Sequence, residues 1–198
     1  MGDASFSRHL TAEFVRGWRQ TNPDSKVIRR DLTTTDIVPI TAEWVGAAYT
    51  PKDSRNDAQR ALLAPSDELI AELHAADEYV LGVPMHNFTV PAKMRLWIDL
   101  IARVGETFAY GADGPAGLLP GKQATFIVAY GGVYGEGAAM ASYNFVDPYL
   151  RTLFGFLGVS DVRLVAAGGA AGVMSGKIER EAFLQPSMQA IHALFQNA

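Results

Sequence analysis

A short stretch after an apolar run has residue types suited to binding a flat, polar ring. Residues 79–84, YVLGVP, are followed by Met85, His86, Asn87 and Phe88. Such a run is typical of a strand in a parallel sheet covered on both faces, and ligands bind at the carboxyl ends of such strands. Asn87 carries both a donor and an acceptor, and a turn here exposes backbone amides toward a heteroaromatic ligand. The alternative interpretation is a simple strand-to-helix connection with His86 as a bystander.

The start of the chain contains two hydroxyl side chains beside an amphipathic segment. Ser5 and Ser7 flank Phe6, and apolar residues then recur every four positions, which is typical of a helix. Free amides and a partial positive charge at a helix N-terminus attract anions, so these hydroxyl groups can hold a phosphate. The alternative is that one serine only caps the helix.

A third candidate stretch follows another apolar run of strand length. Residues 123–130, QATFIVAY, end at Tyr130, and Gly131 and Gly132 come next. Glycines allow a ligand to approach the backbone closely, although ordinary turns use them as well.

Composition excludes several classes of function. The 198 residues carry a net charge of −4, with 48% hydrophobic and 19% charged residues, which is typical of a globular protein and argues against a nucleic-acid partner. The absence of cysteine excludes disulfides and thiolate catalysis and favours a cytoplasmic location. We find no metal-ligand spacing, nucleophile elbow, phosphate-binding P-loop or membrane span.

The elements that would position these groups alternate between helix and strand. Strands are predicted near residues 26–32, 79–84, 123–130 and 161–167. Helices are predicted to begin near residues 6, 43, 57, 91, 145 and 177, with Pro65 breaking the third and Ser66 capping its second part. This alternation implies βαβ units and a parallel sheet.

The first predicted helix has no strand before it. A doubly wound sheet normally begins with a strand that leads into the first phosphate-binding loop. We therefore expect that the first strand is absent from this chain and that Met1 is an internal or misassigned start. About ten further residues would then precede it. A chain that lacks this strand naturally is the alternative.

Several long motifs occur in an order that resembles the FMN-dependent NADH-azoreductases, which are flavodoxin-like quinone reductases. The motifs are PMHNFTVPAKMRLWID, TFAYGADGPAGLLPGK, YGGVYG and PYLRTLFGFLGV, and the match extends from Asp3 onward. The resemblance implies an α/β fold with a flavodoxin-like doubly wound parallel sheet in three αβα layers. Residues 1–198 would form one FMN-binding domain.

The resemblance also assigns roles to residues. The FMN phosphate would lie at Ser5, Phe6 and Ser7. The isoalloxazine and ribityl groups would contact Met85, His86, Asn87 and Phe88, although many relatives have tyrosine in place of His86. The pyrimidine edge would lie at Tyr130, Gly131 and Gly132. The family is homodimeric, and we expect Tyr110 and Phe156 to reach the partner's flavin.

The implied activity is ping-pong transfer of two electrons from NADH, through flavin N5, to a quinone or azo compound. It needs no protein nucleophile and no metal, because the cofactor carries the chemistry. The alternative is a flavodoxin-type electron carrier without its own substrate, but carriers are usually more acidic than this chain. The stretch at residues 33–76 also favours a wall over a substrate site.

Overall fold

In the computed structural model, which describes residues 4–196, helices and strands alternate along the chain. The helices are α1 (Phe6–Thr21), α2 (Ala42–Tyr49), α3 (Asp57–Ala75), α4 (Ala92–Ile101), α5 (Asp147–Phe156), α6 (Ala170–Met174) and α7 (Arg180–Gln196). The strands are β1 (Glu78–Pro84), β2 (Phe108–Gly111), β3 (Gly114–Gly117), β4 (Gln123–Ala129) and β5 (Asp161–Ala167).

The main sheet is parallel and has the order β1-β4-β5. The last residues of the three strands are paired with one another, since Pro84 pairs with Ala129 and Ala129 pairs with Ala167. The three strands therefore end side by side at one edge of the sheet. Strands β2 and β3 form a separate antiparallel hairpin.

Helices cover both faces of this sheet. On one face α1 and α7 bury Leu10, Phe14 and Ile191 against β4 and β5. On the other face α3, α4 and α5 pack around Phe126 and Phe154. This arrangement confirms the predicted three-layer αβα class. No helix within residues 4–196 is both long and apolar enough to cross a membrane.

The predicted strand at residues 26–32 is wrong, because these residues join no sheet in the structure. Residues become a strand only where a neighbour supplies ladder partners, and within residues 4–196 none lies beside this stretch. Strand β1 is correspondingly paired on one side only, with β4. The extended stretch is held instead by ion pairs from Arg30 to Glu68 and Glu72 of α3.

Two predicted helix boundaries are also wrong. Helix α3 continues through Pro65, and its N-terminal cap is the capping box at Asn56. Burial of the apolar face of α3 offsets the backbone bond that proline removes. Ser66 is not a cap, since its buried hydroxyl donates to the Leu100 carbonyl at 2.6 Å. The predicted closing helix at 177–196 begins at Arg180, and the short helix α6 precedes it.

Candidate functional site

The three strand ends carry three loops that are hydrogen-bonded to one another. The amide of Met85 donates to the carbonyl of Ala129 at 2.8 Å, and the amide of Tyr130 donates to Ala167 at 2.9 Å. Residues 85–89, 130–134 and 168–169 therefore lie together at the carboxyl edge of the sheet. This edge is where open parallel sheets bind their ligands.

The first loop is a tight hairpin turn in an unusual conformation. His86 and Thr89 exchange two backbone hydrogen bonds of 2.9 and 3.0 Å, and the residues between them have positive φ, 47° at Asn87 and 71° at Phe88. Positive φ at both central positions is typical of a type I′ turn. Asparagine tolerates this region, but phenylalanine there is strained, and such strain clusters at ligand-binding sites.

The turn at 86–89 presents backbone donors that are not used inside the protein. The amides of Asn87 and Phe88 find no acceptor in the part of the chain that the structure describes. The side chains of His86, Asn87 and Phe88 are all exposed. Backbone amides are strong hydrogen-bond donors, so this surface can bind a ring that carries hydrogen-bond acceptors.

Aromatic rings support the turn from the following loop. The Phe88 ring centroid lies 5.5 Å from that of Tyr143 and 6.3 Å from that of Tyr134. The Phe88 carbonyl accepts the amide of Phe145 at 3.0 Å. These contacts hold the strained turn against residues 134–145.

In the glycine loop, residues 130–132, hydrogen bonds fix the direction of the backbone carbonyl groups. The carbonyls of Tyr130, Gly131 and Gly132 accept from Ala170, Ala171 and Gly169 at 3.0, 2.9 and 2.7 Å, respectively. In a trans peptide the N–H points opposite to the carbonyl. The amides of residues 131, 132 and 133 therefore point away from α6, and none of them has an acceptor within residues 4–196.

The side chain of Tyr130 points into the protein and not toward a ligand. It is 2% exposed, and its hydroxyl donates to Asp147 Oδ1 at 2.5 Å. Burial, together with this hydrogen bond, raises the pKa of Tyr130 above its ordinary value, so the hydroxyl stays protonated. Only the peptide group of Tyr130 lies at the predicted site.

The start of α1 gathers hydroxyl groups and a cation. Ser5 caps the helix, and its Oγ accepts the amide of Arg8 at 3.4 Å and lies 3.4 Å from Oγ of the buried Ser7. Arg180, at the start of α7, donates to the Ala4 carbonyl at 2.9 Å, with its guanidinium 4.7 Å from the Phe6 ring centroid. This combination suits an anion.

Tyr110 and Phe156 are not brought to these loops within one chain. Both contact Phe108, with ring centroids 5.6 and 4.7 Å away, and form a hairpin aromatic cluster of these three residues. Tyr110 is 69% exposed. Helix α5 begins at Asp147, beside Tyr130, and ends at Phe156, about 15 Å further along.

Several residues at the site were not predicted from the sequence. They are Tyr143, Asn144, Asp147 and Arg180, whereas Tyr134 belongs to the YGGVYG motif named above. Asn144 and Asp147 shortly precede Pro148, and this pattern of residues predicts the start of a helix with a polar cap. No local pattern marks Arg180, because it meets the start of α1 only through the packing of α7 on α1.

The described residues fit a flavin mononucleotide. Amides without acceptors line two strand-end loops, a Cβ at Gly131 would meet open space, and hydroxyls with a nearby guanidinium surround the start of α1. A parallel α/β sheet with such loops at its carboxyl edge defines a flavodoxin-like domain. The family model for the flavodoxin-like fold matches residues 1–193.

Relatives with named activities show which family within the flavodoxin-like class this chain resembles. FMN-dependent NADH:quinone oxidoreductase 3 of Burkholderia lata is 50% identical over 195 residues, which cover 98% of this chain and 94% of that protein. FMN-dependent NADH:quinone oxidoreductase of Acidobacterium capsulatum is 49% identical over 189 residues, covering 96% and 92%. The chain therefore belongs to the flavodoxin-like family of FMN-dependent NADH:quinone oxidoreductases.

Solved structures share the fold. The crystal structure of azoreductase AzrA superposes with a TM-score of 0.88 at 22% identity, covering 100% of this chain and 95% of that one. The FMN-dependent NADH-azoreductase from Bacillus anthracis, solved in complex with FMN, gives a TM-score of 0.85 at 22% identity, covering 98% and 91%.

Proposed function

We propose that this protein binds FMN and transfers two electrons from NADH to a quinone or an azo compound. The observation that carries this proposal is the set of amides without acceptors on two neighbouring strand-end loops, at 87–88 and 131–133. The relatives named as FMN-dependent NADH:quinone oxidoreductases, at 50% and 49% identity, support the same activity. NADH as donor suits a cytoplasmic location.

Each loop would hold a different part of the cofactor. Ser5 and Ser7, with the amides at the start of α1, would bind the phosphate, and Arg180 adds positive charge nearby. The loop of Met85, His86, Asn87 and Phe88 would contact the ring and the ribityl chain. Gly131 and Gly132 would meet the pyrimidine edge.

When bound, FMN would supply the hydride chemistry at N5 and the two-electron, ping-pong capacity that this reaction needs. The protein positions this chemistry and stabilises charge. Donors aimed at a site of developing negative charge contribute without reorganising, and the pinned amides of Gly131 and Gly132 meet that requirement. No side chain need act as a nucleophile, and solvent can supply protons to the acceptor beside the exposed turn.

We further propose that two copies of the chain form a homodimer in which each completes the other's site. Two members of the hairpin aromatic cluster, Tyr110 and Phe156, are exposed, and the cluster lies away from the loops of its own chain. In such a homodimer Tyr110 and Phe156 would face a flavin bound by the partner. Aromatic side chains in such an interface would form a wall over the substrate position.

A flavodoxin-type electron carrier is the competing function, and neither the net charge of −4 nor the named relatives favour it. Purified protein mixed with FMN should turn yellow and oxidise NADH steadily when benzoquinone is added, without a second protein. Protein that stays colourless after FMN incubation would overturn the proposal. Protein that binds FMN but needs a separate reductase would instead identify a carrier.

The phosphate role of Ser5 predicts a selective loss of affinity. Replacing Ser5 with alanine removes a hydroxyl from the start of α1, so FMN should bind about tenfold more weakly, the effect of one hydrogen bond to a charged group. Riboflavin, which has no phosphate, should bind as it does to the wild type. Fluorescence titration with both ligands measures this difference.

The matched control for this variant is Ser175→Ala. Ser175 is exposed, and within residues 4–196 its hydroxyl bonds only to the Gly172 carbonyl, so loss of the hydroxyl should change neither affinity. If Ser5→Ala weakened the binding of FMN and riboflavin equally, the proposal that Ser5 binds the phosphate would be wrong.

A further inference from the structure

We propose that Tyr130, Asp147 and Asn144 form a positioning network that sets the direction of the amides of Gly131 and Gly132. The proposal rests on the FMN-binding function proposed above and assigns these side chains a role behind the cofactor rather than against it. Throughout, this set of three side chains is called the tyrosine network.

The tyrosine network is continuous in hydrogen bonds. Tyr130 donates to Asp147 Oδ1 at 2.5 Å, and Asn144 Nδ2 donates to Asp147 Oδ2 at 2.8 Å. The carboxylate of Asp147 thus receives one donor on each oxygen. The side chain of Asn144 also accepts the amides of Val146 and Asp147 through Oδ1, at 3.1 and 3.3 Å.

This network closes a long glycine-rich loop. Residues 131–143 are mostly exposed and contain a single short 3-10 turn at Ala141–Tyr143. Tyr130 immediately precedes the loop and Asn144 immediately follows it, so Asp147 ties the two ends together. Asn144 Nδ2 also reaches the Tyr134 carbonyl at 3.4 Å. A loop whose ends are joined has fewer conformations to lose when a ligand binds.

The glycine amides are therefore held from two sides. The amides of Gly169, Ala170 and Ala171 pin the loop carbonyls from the β5–α6 connection. On the side that faces the protein interior, the buried Tyr130 ring and its hydroxyl hold the start of the loop. Donors are effective toward a ring edge only when their direction is set in advance, and the tyrosine network supplies the side-chain part of that constraint.

A second buried tyrosine offers a matched comparison. Tyr79 in β1 is 6% exposed, and its hydroxyl donates to the Leu73 carbonyl at 2.7 Å. Burial raises the pKa of Tyr79 as it does that of Tyr130. Tyr79 lies near the start of β1, at the opposite edge of the sheet from the loops. Tyr79→Phe therefore removes a comparable buried hydrogen bond without touching the site.

The experiment compares Tyr130→Phe and Tyr79→Phe in the full chain. Both variants should melt at similarly lowered temperatures. Tyr130→Phe should bind both FMN and riboflavin about tenfold more weakly, since the ring edge is common to the two ligands. Tyr79→Phe should bind both within about twofold of the wild type, because its hydroxyl lies at the other end of the sheet and distant sites couple weakly. Asn144→Ala provides a second break in the same network if Tyr130→Phe folds poorly.

Hydrogen exchange in the protein without FMN gives a readout independent of activity. The amides of Ala170 and Ala171 donate to the glycine loop, so they should exchange faster in Tyr130→Phe and not in Tyr79→Phe. Wild-type protein that binds FMN while Tyr130→Phe and Asn144→Ala bind it equally well would overturn this proposal alone. Wild-type protein that binds no FMN would overturn the proposed function and this proposal with it.

Discussion

Replacing Gly131 with leucine is expected to weaken FMN binding by about 100-fold, or about 2.7 kcal/mol, while the protein stays folded. A Cβ at Gly131 meets no atom within 4 Å, and the φ of Gly131 lies outside the left-handed region. The leucine side chain is therefore tolerated by the backbone and extends into open space. That space lies beside the amides that the cofactor is proposed to use, so the side chain occupies the place of the ring.

Flavin fluorescence titration and thermal unfolding together test this expectation. The free energy of unfolding should stay within about 0.5 kcal/mol of the wild type, as for other exposed substitutions. Gly46→Leu is the control, because a Cβ there also meets nothing within 4 Å and Gly46 is an exposed residue of α2, outside the three strand-end loops. Undiminished FMN binding by Gly131→Leu would mean that the ring does not lie against the glycine loop.

The second large effect is expected at Gly117, where alanine should destabilise the protein by about 2–3 kcal/mol. A Cβ on Gly117 would lie 2.5 Å from the Cα of Gly158 and would also overlap the backbone of Leu157. Backbone cannot move aside as a flexible side chain can, so the hairpin must separate from the end of α5. The hydrogen bond from the Leu119 amide to the Leu157 carbonyl, 2.9 Å, lies in the same contact.

Gly111→Ala is the matched control in the same hairpin. Its Cβ would meet only the Gly114 carbonyl oxygen, at an ordinary 3.7 Å, so its melting temperature should stay near that of the wild type. Equal melting temperatures for the two variants would show that the hairpin is free to shift. Displacement of the hairpin in Gly117→Ala would also separate Tyr110 from Phe156, and the proposed partner-facing cluster would be lost.

The sequence predicted the elements that depend on local pattern. Residues 79–84 and 123–130 were recognisable as buried strands because continuous apolar runs require cover on both faces. The helix after Ser5 and the loop at 85–88 followed from capping residues and from the end of a strand. The family was predicted from four motifs in order along the chain, and the relatives confirm it.

Other features were wrong or unforeseen because they depend on residues distant in the chain. The stretch at 26–32 has strand-like composition, yet no neighbour in the described structure pairs with it. The direction of the Tyr130 side chain depends on Asp147, which a local pattern cannot place. Arg180 reaches the start of α1 only because α7 packs beside it. The positive φ at Phe88 has no signal in its residue type.

The sequence alone determined which loops form the candidate site, since alternating strands and helices bring the loops at 85–88 and 130–132 to one edge of a parallel sheet. Only the tertiary structure decided what those loops offer a ligand. A backbone amide is available to a ligand when it has no acceptor inside the protein and the carbonyl of the same peptide group is hydrogen-bonded elsewhere. At the glycine loop the groups that hold those carbonyls are the amides of residues 169–171, across the sheet edge. That pairing is a property of packing, because it joins segments whose residue patterns do not refer to each other.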